Sequence, residues 1–143
     1  LNDGCFELFY QLYSDSELMK FIRVPLSVED AQKSFTKSRD KMNQADPNLF
    51  LYVIESICGD KLGIAGVKKH GLDHEYEIGV VLIEDFHKRN VSTQIKLALM
   101  NWMFGQSKQV QITAYCQTEN TAPNHINKKL KFKFCGSCMY LNY

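Results

Sequence analysis

Tyr76-Glu-Ile-Gly-Val-Val-Leu-Ile83 reads as a buried strand, and Glu84-Asp-Phe-His-Lys-Arg-Asn-Val-Ser-Thr93 after it reads as a polar loop turning into a helix. From Val91 the apolar period is helical, with Ile95, Leu97, Ala98, Leu99, Trp102, Met103 and Phe104 supplying the face expected to be buried. Val110-Gln-Ile-Thr-Ala-Tyr115 follows as another strand. Strand, helix, strand in that order joins parallel strands through a right-handed crossover, and ligands bind outside the carboxyl ends of such strands. The loop at that end is basic at Lys88 and Arg89. Its Asn90 can take φ > 0 or cap the helix, and Ser92 and Thr93 place hydroxyls in the first helical turn. Free backbone N–H groups and the helix dipole make such a loop a phosphate cradle, although the same residues also describe an ordinary capped helix.

Upstream, Asn2 or Asp3 is placed to cap a first helix carrying Phe6, Phe9, Tyr10 and Tyr13. Ser14-Asp-Ser16 breaks that helix and caps a short second one reaching Ile22, which Pro25 keeps from continuing. Ser27-Val-Glu-Asp30 opens a polar helix in the manner of a capping box, running to about Met42 with Ala31, Phe35 and Ser38 inward. Ala45-Asp-Pro-Asn48 is turn chemistry, and the period then becomes extended. Leu49-Phe-Leu-Tyr-Val-Ile54 and Leu62-Gly-Ile-Ala-Gly-Val67 are strands joined through a turn at Ile57-Cys-Gly-Asp60, and His70-Gly-Leu-Asp73 signals a hairpin into Tyr76. Downstream, a short helix runs from Ala122 to about Leu130, and Phe132 to Tyr143 holds one or two closing strands. No repeat, low-complexity tract or linker divides the chain, so residues 1–143 read as a single α/β domain.

Composition narrows the function classes. With 143 residues, 45% hydrophobic and 23% charged, the chain is neither disordered, collagen-like nor a coiled coil, and it can bury roughly two-thirds of its unfolded surface without a metal or disulfide staple. Net charge is +1, from 17 basic and 16 acidic residues, which argues against generic nucleic-acid binding. No apolar run approaches the roughly 20 residues that span a bilayer, and the start does not read as a signal peptide, so a soluble cytoplasmic protein with no membrane role is expected. The five cysteines are Cys5, Cys58, Cys116, Cys135 and Cys138. Only Cys135-Gly-Ser-Cys138 is a close pair, readable as a redox pair or half a zinc site; His70, His74, His87 and His125 offer no second half, so no metal is expected and the cysteines read as buried or turn residues. Lys128-Lys-Leu-Lys-Phe-Lys133 reads as a solvated helix end followed by an alternating strand, or as a contact for a phosphate or nucleic acid. The aromatic set Phe6, Phe9, Tyr10, Tyr13 and Phe21 reads as core, or as the lining of an acceptor groove.

The run from Tyr76 to Leu82 and then Phe86-His-Lys-Arg-Asn-Val-Ser-Thr-Gln94 resembles the acetyl-CoA-binding region of the GNAT acetyltransferases, in which a strand E-I-G-x-x-L leads into a Q/R-x-x-G-x-G/A loop and a long helix. Asn120-Thr-Ala-Pro-Asn-His-Ile-Asn-Lys-Lys-Leu-Lys-Phe132 is similar to that family's N-x-x-S-x-x-x-x-x-K-L-G-F segment. Phe6 to Ile22 resembles the opening helices of its ribosomal-protein N-terminal acetyltransferase branch. The matches span nearly the whole chain in order. They imply an α/β (α+β) fold: a mixed, mostly antiparallel sheet with a central parallel strand pair, flanked by helices. Departures are specific. His87 stands for Gln or Arg, Asn90 and Ser92 for the two small loop residues, Pro123 for Ser or Ala, and Lys131 for Gly. Asn127 stands where many members carry a tyrosine general acid. The chain opens on the first helix, so the family's usual first strand is expected to be absent from it.

By that resemblance the co-substrate is acetyl-CoA. Its pantetheine amides would pair near Val81 and Ile83, and its pyrophosphate would rest on N–H groups of Lys88, Arg89, Asn90, Val91 and Ser92. His87 and Thr93 bound the loop, and Asn120 closes the site from the next strand. Acetyl passes directly to a primary amine, which must attack as the neutral base, so a proton acceptor has a role. Glu77 matches the family's frequent strand carboxylate and Glu75 is the second candidate; both could equally be solvent-facing charges. His125 and Tyr140 are possible proton donors or simple surface and packing residues. The expected acceptor is a protein N-terminal amine. The alternatives are a small-molecule amine such as an aminoglycoside or polyamine, which would want an acidic cleft, and a degenerate member that binds acyl-CoA or a partner without turnover. The chain is expected to act as a monomer or homodimer.

Overall fold

A computed structural model describes residues 1–70, 74–106 and 109–136. In chain order the elements are α1 (Phe6–Ser14), α2 (Ser16–Met19), α3 (Val28–Met42), β1 (Leu49–Glu55), β2 (Lys61–His70), β3 (Glu75–Leu82), α4 (Val91–Gln106), β4 (Gln111–Thr113) and α5 (Thr121–Lys129). The strands form one sheet in the order β1-β2-β3-β4. The first two pairings are antiparallel and β4 runs parallel to β3, giving the mixed sheet that the strand-helix-strand order implies. The hairpin expected at 70–73 joins β2 to β3, with His70 opposite Glu75; residues 71–73 lie outside the described residues.

Local chemistry explains the helix boundaries. Asp15 accepts from Glu17 N at 2.9 Å and Leu18 N at 3.0 Å, ending α1 and starting α2. Ser27 accepts from Asp30 N at 3.1 Å while its hydroxyl donates to the Asp30 carboxylate at 2.8 Å, which closes the start of α3. The expected Asn2 or Asp3 cap is not formed. A 3₁₀ turn at Asp3–Cys5 precedes α1, the Asn2 side chain accepts from the Cys5 thiol, and Asp3 pairs with Arg39 of α3. Backbone bonding within that tight turn, from Cys5 N to Asn2 O, replaces the side-chain cap.

Two layers bury the sheet. On one face Phe9 and Leu12 of α1 and Phe35 of α3 pack on Leu51 and Ile64, with the Phe9 and Phe35 rings edge-to-face at 5.4 Å. On the other face Met103 of α4 meets Val67 and Ile78, and Ile95 and Leu99 cover Ala65 and Leu82. α4 corrects one expectation: Leu97, Trp102 and Phe104 are 47%, 55% and 47% exposed. Seven apolar residues within ten positions encircle a helix and cannot all face one sheet. The inward stripe is Thr93, Lys96, Leu99 and Met103, and it carries the helix's only ionisable residue. β4 is also shorter than expected, Gln111–Thr113 in place of 110–115, because Asn124 of α5 holds the chain after it in a bend. The described part of the C-terminal segment, 132–136, is not a strand, and 137–143, with Cys138 and Tyr140, lie outside the described residues.

Two backbone positions constrain this frame. A Cβ on Gly63 of β2 would sit 2.2 Å from the Val81 carbonyl oxygen of β3, so only glycine lets the two strands close there. α5 ends in a Schellman motif, with Phe132 N donating to Asn127 O and Lys131 N to Lys128 O. The left-handed residue of that motif is Lys131, at φ 63. Gly63→Ala is therefore expected to lower stability by about 1–3 kcal/mol. Lys131→Gly is expected to raise it by about 1 kcal/mol, by relieving a left-handed non-glycine residue. Urea-unfolding midpoints at matched m-values check both.

Candidate active site

β3 and β4 pair at only three positions, Glu75↔Gln111, Tyr76↔Ile112 and Glu77↔Thr113. β3 continues to Leu82, whereas the chain after Thr113 leaves the ladder and turns through 114–120 into α5. The edge of β3 beyond Glu77 is thus left without its parallel partner where residues 114–117 leave the sheet. At its inner end stands Glu77. Its carboxylate is half-buried, 3.0 Å from Nε2 of His70, whose ring lies edge-on to Tyr115 at 6.4 Å. Glu75, one pleat further along the same face, sits opposite His70 in the ladder. The carboxylate of Glu77 is held by an imidazole rather than projecting freely into solvent.

At the other end of β3, Ile83 N donates to Leu62 O at 2.9 Å, so that N–H is committed to the sheet. His87 places Nε2 3.0 Å from Leu82 O, which anchors the loop to the strand end. Arg89 lies over the Phe86 ring at 5.5 Å. Lys88 and Asn90 both take left-handed backbone, at φ 60 and φ 62. Asn90 adopts the geometry its residue type allows, and Lys88 adopts it against its preference. The first intrahelical bond of α4 runs from Gln94 N to Asn90 O, so Val91, Ser92 and Thr93 present N–H groups with no partner within the helix. Lys129 of α5 reaches Asn90 Oδ1 at 3.4 Å, tying α5 to this loop. Asn120 precedes α5 as its N-cap residue, without a side-chain cap bond.

A buried polar chain crosses from α4 to α5. Lys96 Nζ donates to Asn127 Oδ1 at 2.7 Å, Asn127 Nδ2 donates to Cys116 Sγ at 3.6 Å, and the Cys116 thiol donates to Asn124 Oδ1 at 2.9 Å. Asn124 in turn donates to Gln117 O and Asn120 O, fixing the bend after β4. Burial pushes Lys96 below the ordinary lysine value, with the Cys116 thiol acting in the opposite direction.

The structure therefore sets Glu77 and the loop 87–93 at the two ends of the stretch of β3 that lacks a parallel partner. Reading the sequence alone missed His70 and Lys96. His70 falls in a hairpin signal by sequence, yet in the hairpin register it lies diagonal to Glu77 on one face. Lys96 is the single charge in an otherwise uncharged helix and falls on its inward stripe, a signal legible once the stripe is known. Among the described residues no group of three His, Cys, Asp or Glu could hold a metal ion, and no helix is long and apolar enough to cross a membrane.

The family model described as "Acetyltransferase (GNAT) domain" matches residues 3–133. An uncharacterized N-acetyltransferase of Bacillus subtilis (strain 168), YnaD, is 26% identical over 121 residues, covering 85% of this chain and 69% of that protein. Among solved structures, the spermidine N-acetyltransferase of Vibrio cholerae in complex with CoA and spermine superposes with a TM-score of 0.76 at 13% identity, over 90% of this chain and 75% of that one. The ribosomal L7/L12 alpha-N-protein acetyltransferase RimL superposes with a TM-score of 0.73 at 17% identity, over 90% of this chain and 71% of that one. A mixed sheet whose parallel strands part beside a helix N-terminus is here the frame of an acyl-CoA-dependent transferase. The chain belongs to the GNAT acetyltransferase family, and its activity is that of an acetyl-CoA-dependent acetyltransferase.

Lys96 makes stability depend on pH. Its folded value is depressed, so between that value and the ordinary lysine range the unfolded chain binds more protons, and stability rises with pH across the window. Lys96→Met is expected to be more stable than the parent at neutral pH. The advantage should narrow as pH climbs toward about 10.4, and thermal melts over a pH series check it.

Proposed function

We propose that residues 1–143 form one acyltransferase domain that moves acetyl from acetyl-CoA to a primary amine, the α-amine of a protein N-terminus, with Glu77 as proton acceptor. The observation that carries this is the half-buried Glu77 carboxylate at the last paired position of β3 and β4, held by His70 where the strands part, and that parting is the proposed opening of the site. Acetyl-CoA supplies an acetyl thioester to that opening. The unpaired edge of β3 at Ile78 and Val80 would meet its pantetheine arm; the backbone groups of Val81, like those of Ile83, face β2. The left-handed turn at Asn90 and the N–H groups of Val91, Ser92 and Thr93 would meet its pyrophosphate, with Lys88 and Arg89 adding charge and His87 fixing the loop. Asn120, at the start of α5, bounds the opposite wall.

The amine arrives protonated at neutral pH and must lose a proton to attack, which Glu77 takes while His70 orients the carboxylate. Lys68 lies opposite Glu77 in the β2–β3 ladder and His70 opposite Glu75, so the acidic pair is balanced by basic neighbours rather than set in an acidic cleft. That charge pattern favours one amine on a peptide over a polycation, and the likeness to RimL, named for a ribosomal α-N-protein substrate, agrees with it. The retained left-handed geometry at Asn90 and Lys131 supports turnover over a binding-only role, since two substituted positions keep a glycine-like backbone. Cys5, Cys58, Cys116 and Cys135 are free thiols, in keeping with a reducing, cytoplasmic setting.

Glu77→Gln is expected to lower turnover about 100-fold or more and to change its pH profile, with acetyl-CoA affinity unchanged. Steady-state rates against pH with an N-terminal peptide, beside calorimetric titration with acetyl-CoA, check this. An unaltered rate would remove Glu77 from the role. Asn90→Ile puts a β-branched residue where φ is positive and is expected to weaken acetyl-CoA binding by about tenfold or more, from about 1–2 kcal/mol of left-handed strain. Undiminished affinity would move the phosphates elsewhere.

A further inference from the structure

Lys96 is buried to 6% exposure, and its Nζ reaches one polar partner among the described residues, the neutral amide oxygen of Asn127. No carboxylate among those residues pairs with it. A dehydrated lysine with no carboxylate beside it, and only the Cys116 thiol acting in its favour, is costly to a fold, and a further anion brought in by a ligand would offset that cost. The far side of Asn127 indicates which anion. Its Nδ2 donates to a sulfur, Cys116 Sγ, and Cys116 belongs to residues 114–117, the stretch that parts from β3 where the parallel ladder ends. A cation on an amide oxygen polarises the amide and strengthens its N–H as a donor.

We infer that Lys96, acting through Asn127, is a positioning residue that favours the thiolate form of a thiol bound in the opening between β3 and β4, and so the sulfur released when the acyl group leaves its thioester. The inference rests on the reading of that opening as the acyl-CoA site. As the amine nitrogen bonds to the acyl carbon, the carbon–sulfur bond breaks and its electron pair remains on sulfur. The surplus amine proton goes to Glu77. Lys96 and Asn127 lower the energy of the sulfur anion, which in turn supplies the counter-charge that Lys96 lacks.

The ionisable groups around Lys96 are few. α4 carries no other. α5 carries His125, Lys128 and Lys129, all exposed, and the segment after β4 carries Tyr115, Cys116 and an exposed Glu119. On β3 the side chains toward α4 are Tyr76, Ile78, Val80 and Leu82, with Glu75 and Glu77 on the other face.

The test is calorimetric titration with CoA and with desulfo-CoA, which has the same phosphates and no thiol, from about pH 6.5 to about pH 9, spanning the ordinary thiol range. The ratio of CoA to desulfo-CoA affinity should be flat at the acid end and climb as pH rises through the lowered pKa of the bound thiol. It should level off above the free value near about 8.5, after rising about tenfold for each unit of lowering. In Lys96→Met and in Asn127→Leu the climb should disappear while desulfo-CoA still binds. A ratio that stays flat in the parent protein, with both ligands bound, overturns the inference and leaves the acyl-CoA site standing. A climb that persists in Lys96→Met also overturns it, by assigning the effect to another group. Failure of both ligands to bind overturns the acyl-CoA reading and this inference with it.

Discussion

Parallel pairing between β3 and β4 lasts for three residues, and the rest of the molecule is arranged around that brevity. A parallel pair needs a crossover, which α4 supplies by packing Leu99 and Met103 on the sheet and returning the chain beside β3. Thr113 then closes the ladder, its hydroxyl donating to Tyr76 O at 3.1 Å. Past that point Asn124 of α5 gathers the backbone carbonyls of residues 117 and 120 and holds the chain in a bend instead of a strand. One edge of β3 is left without a strand partner along residues 78–82, where backbone groups lack a ladder. Such an edge suits a ligand that brings its own amide groups, as pantetheine does.

The loop and helix ends around the opening show how backbone geometry survives a change of side chain. Lys88, Asn90 and Lys131 all hold φ near +60 without glycine. Asparagine tolerates this readily, and the two lysines do so at a cost that the surrounding hydrogen bonds must offset. At Lys131 the offset is visible in the paired bonds of the Schellman motif and in Phe132, which packs against the cluster around Val67, Ile78 and Met103. Near the loop, His87 on Leu82 O and Lys129 on Asn90 tie it to β3 and α5. A motif defined by glycines is thus reproduced by tertiary constraint, so the consensus letters are a poorer guide than the dihedral angles they usually secure.

Much of this was legible in the residues alone. The change of period from helical to extended near Leu49 and back near Val91, the caps at Asp15 and Ser27, and the strand-helix-strand order are local facts, because hydrophobic spacing and capping act within a few residues. Those facts determined the α/β class and the parallel pair, and the residue pattern carried the resemblance to the family. Asn90 could be assigned a positive φ because its side chain permits one. What the tertiary structure alone decided depends on residues far apart in the chain. The length of β4 follows from how α5 bends it away from β3. The partnership of His70 with Glu77 follows from hairpin register. Which stripe of α4 turns inward, and hence that Lys96 is buried on Asn127 while Trp102 is exposed, follows from docking a helix apolar on all sides. Spacing along one chain sets the period of a helix but not its rotation against a sheet, and only the packed sheet fixes that angle.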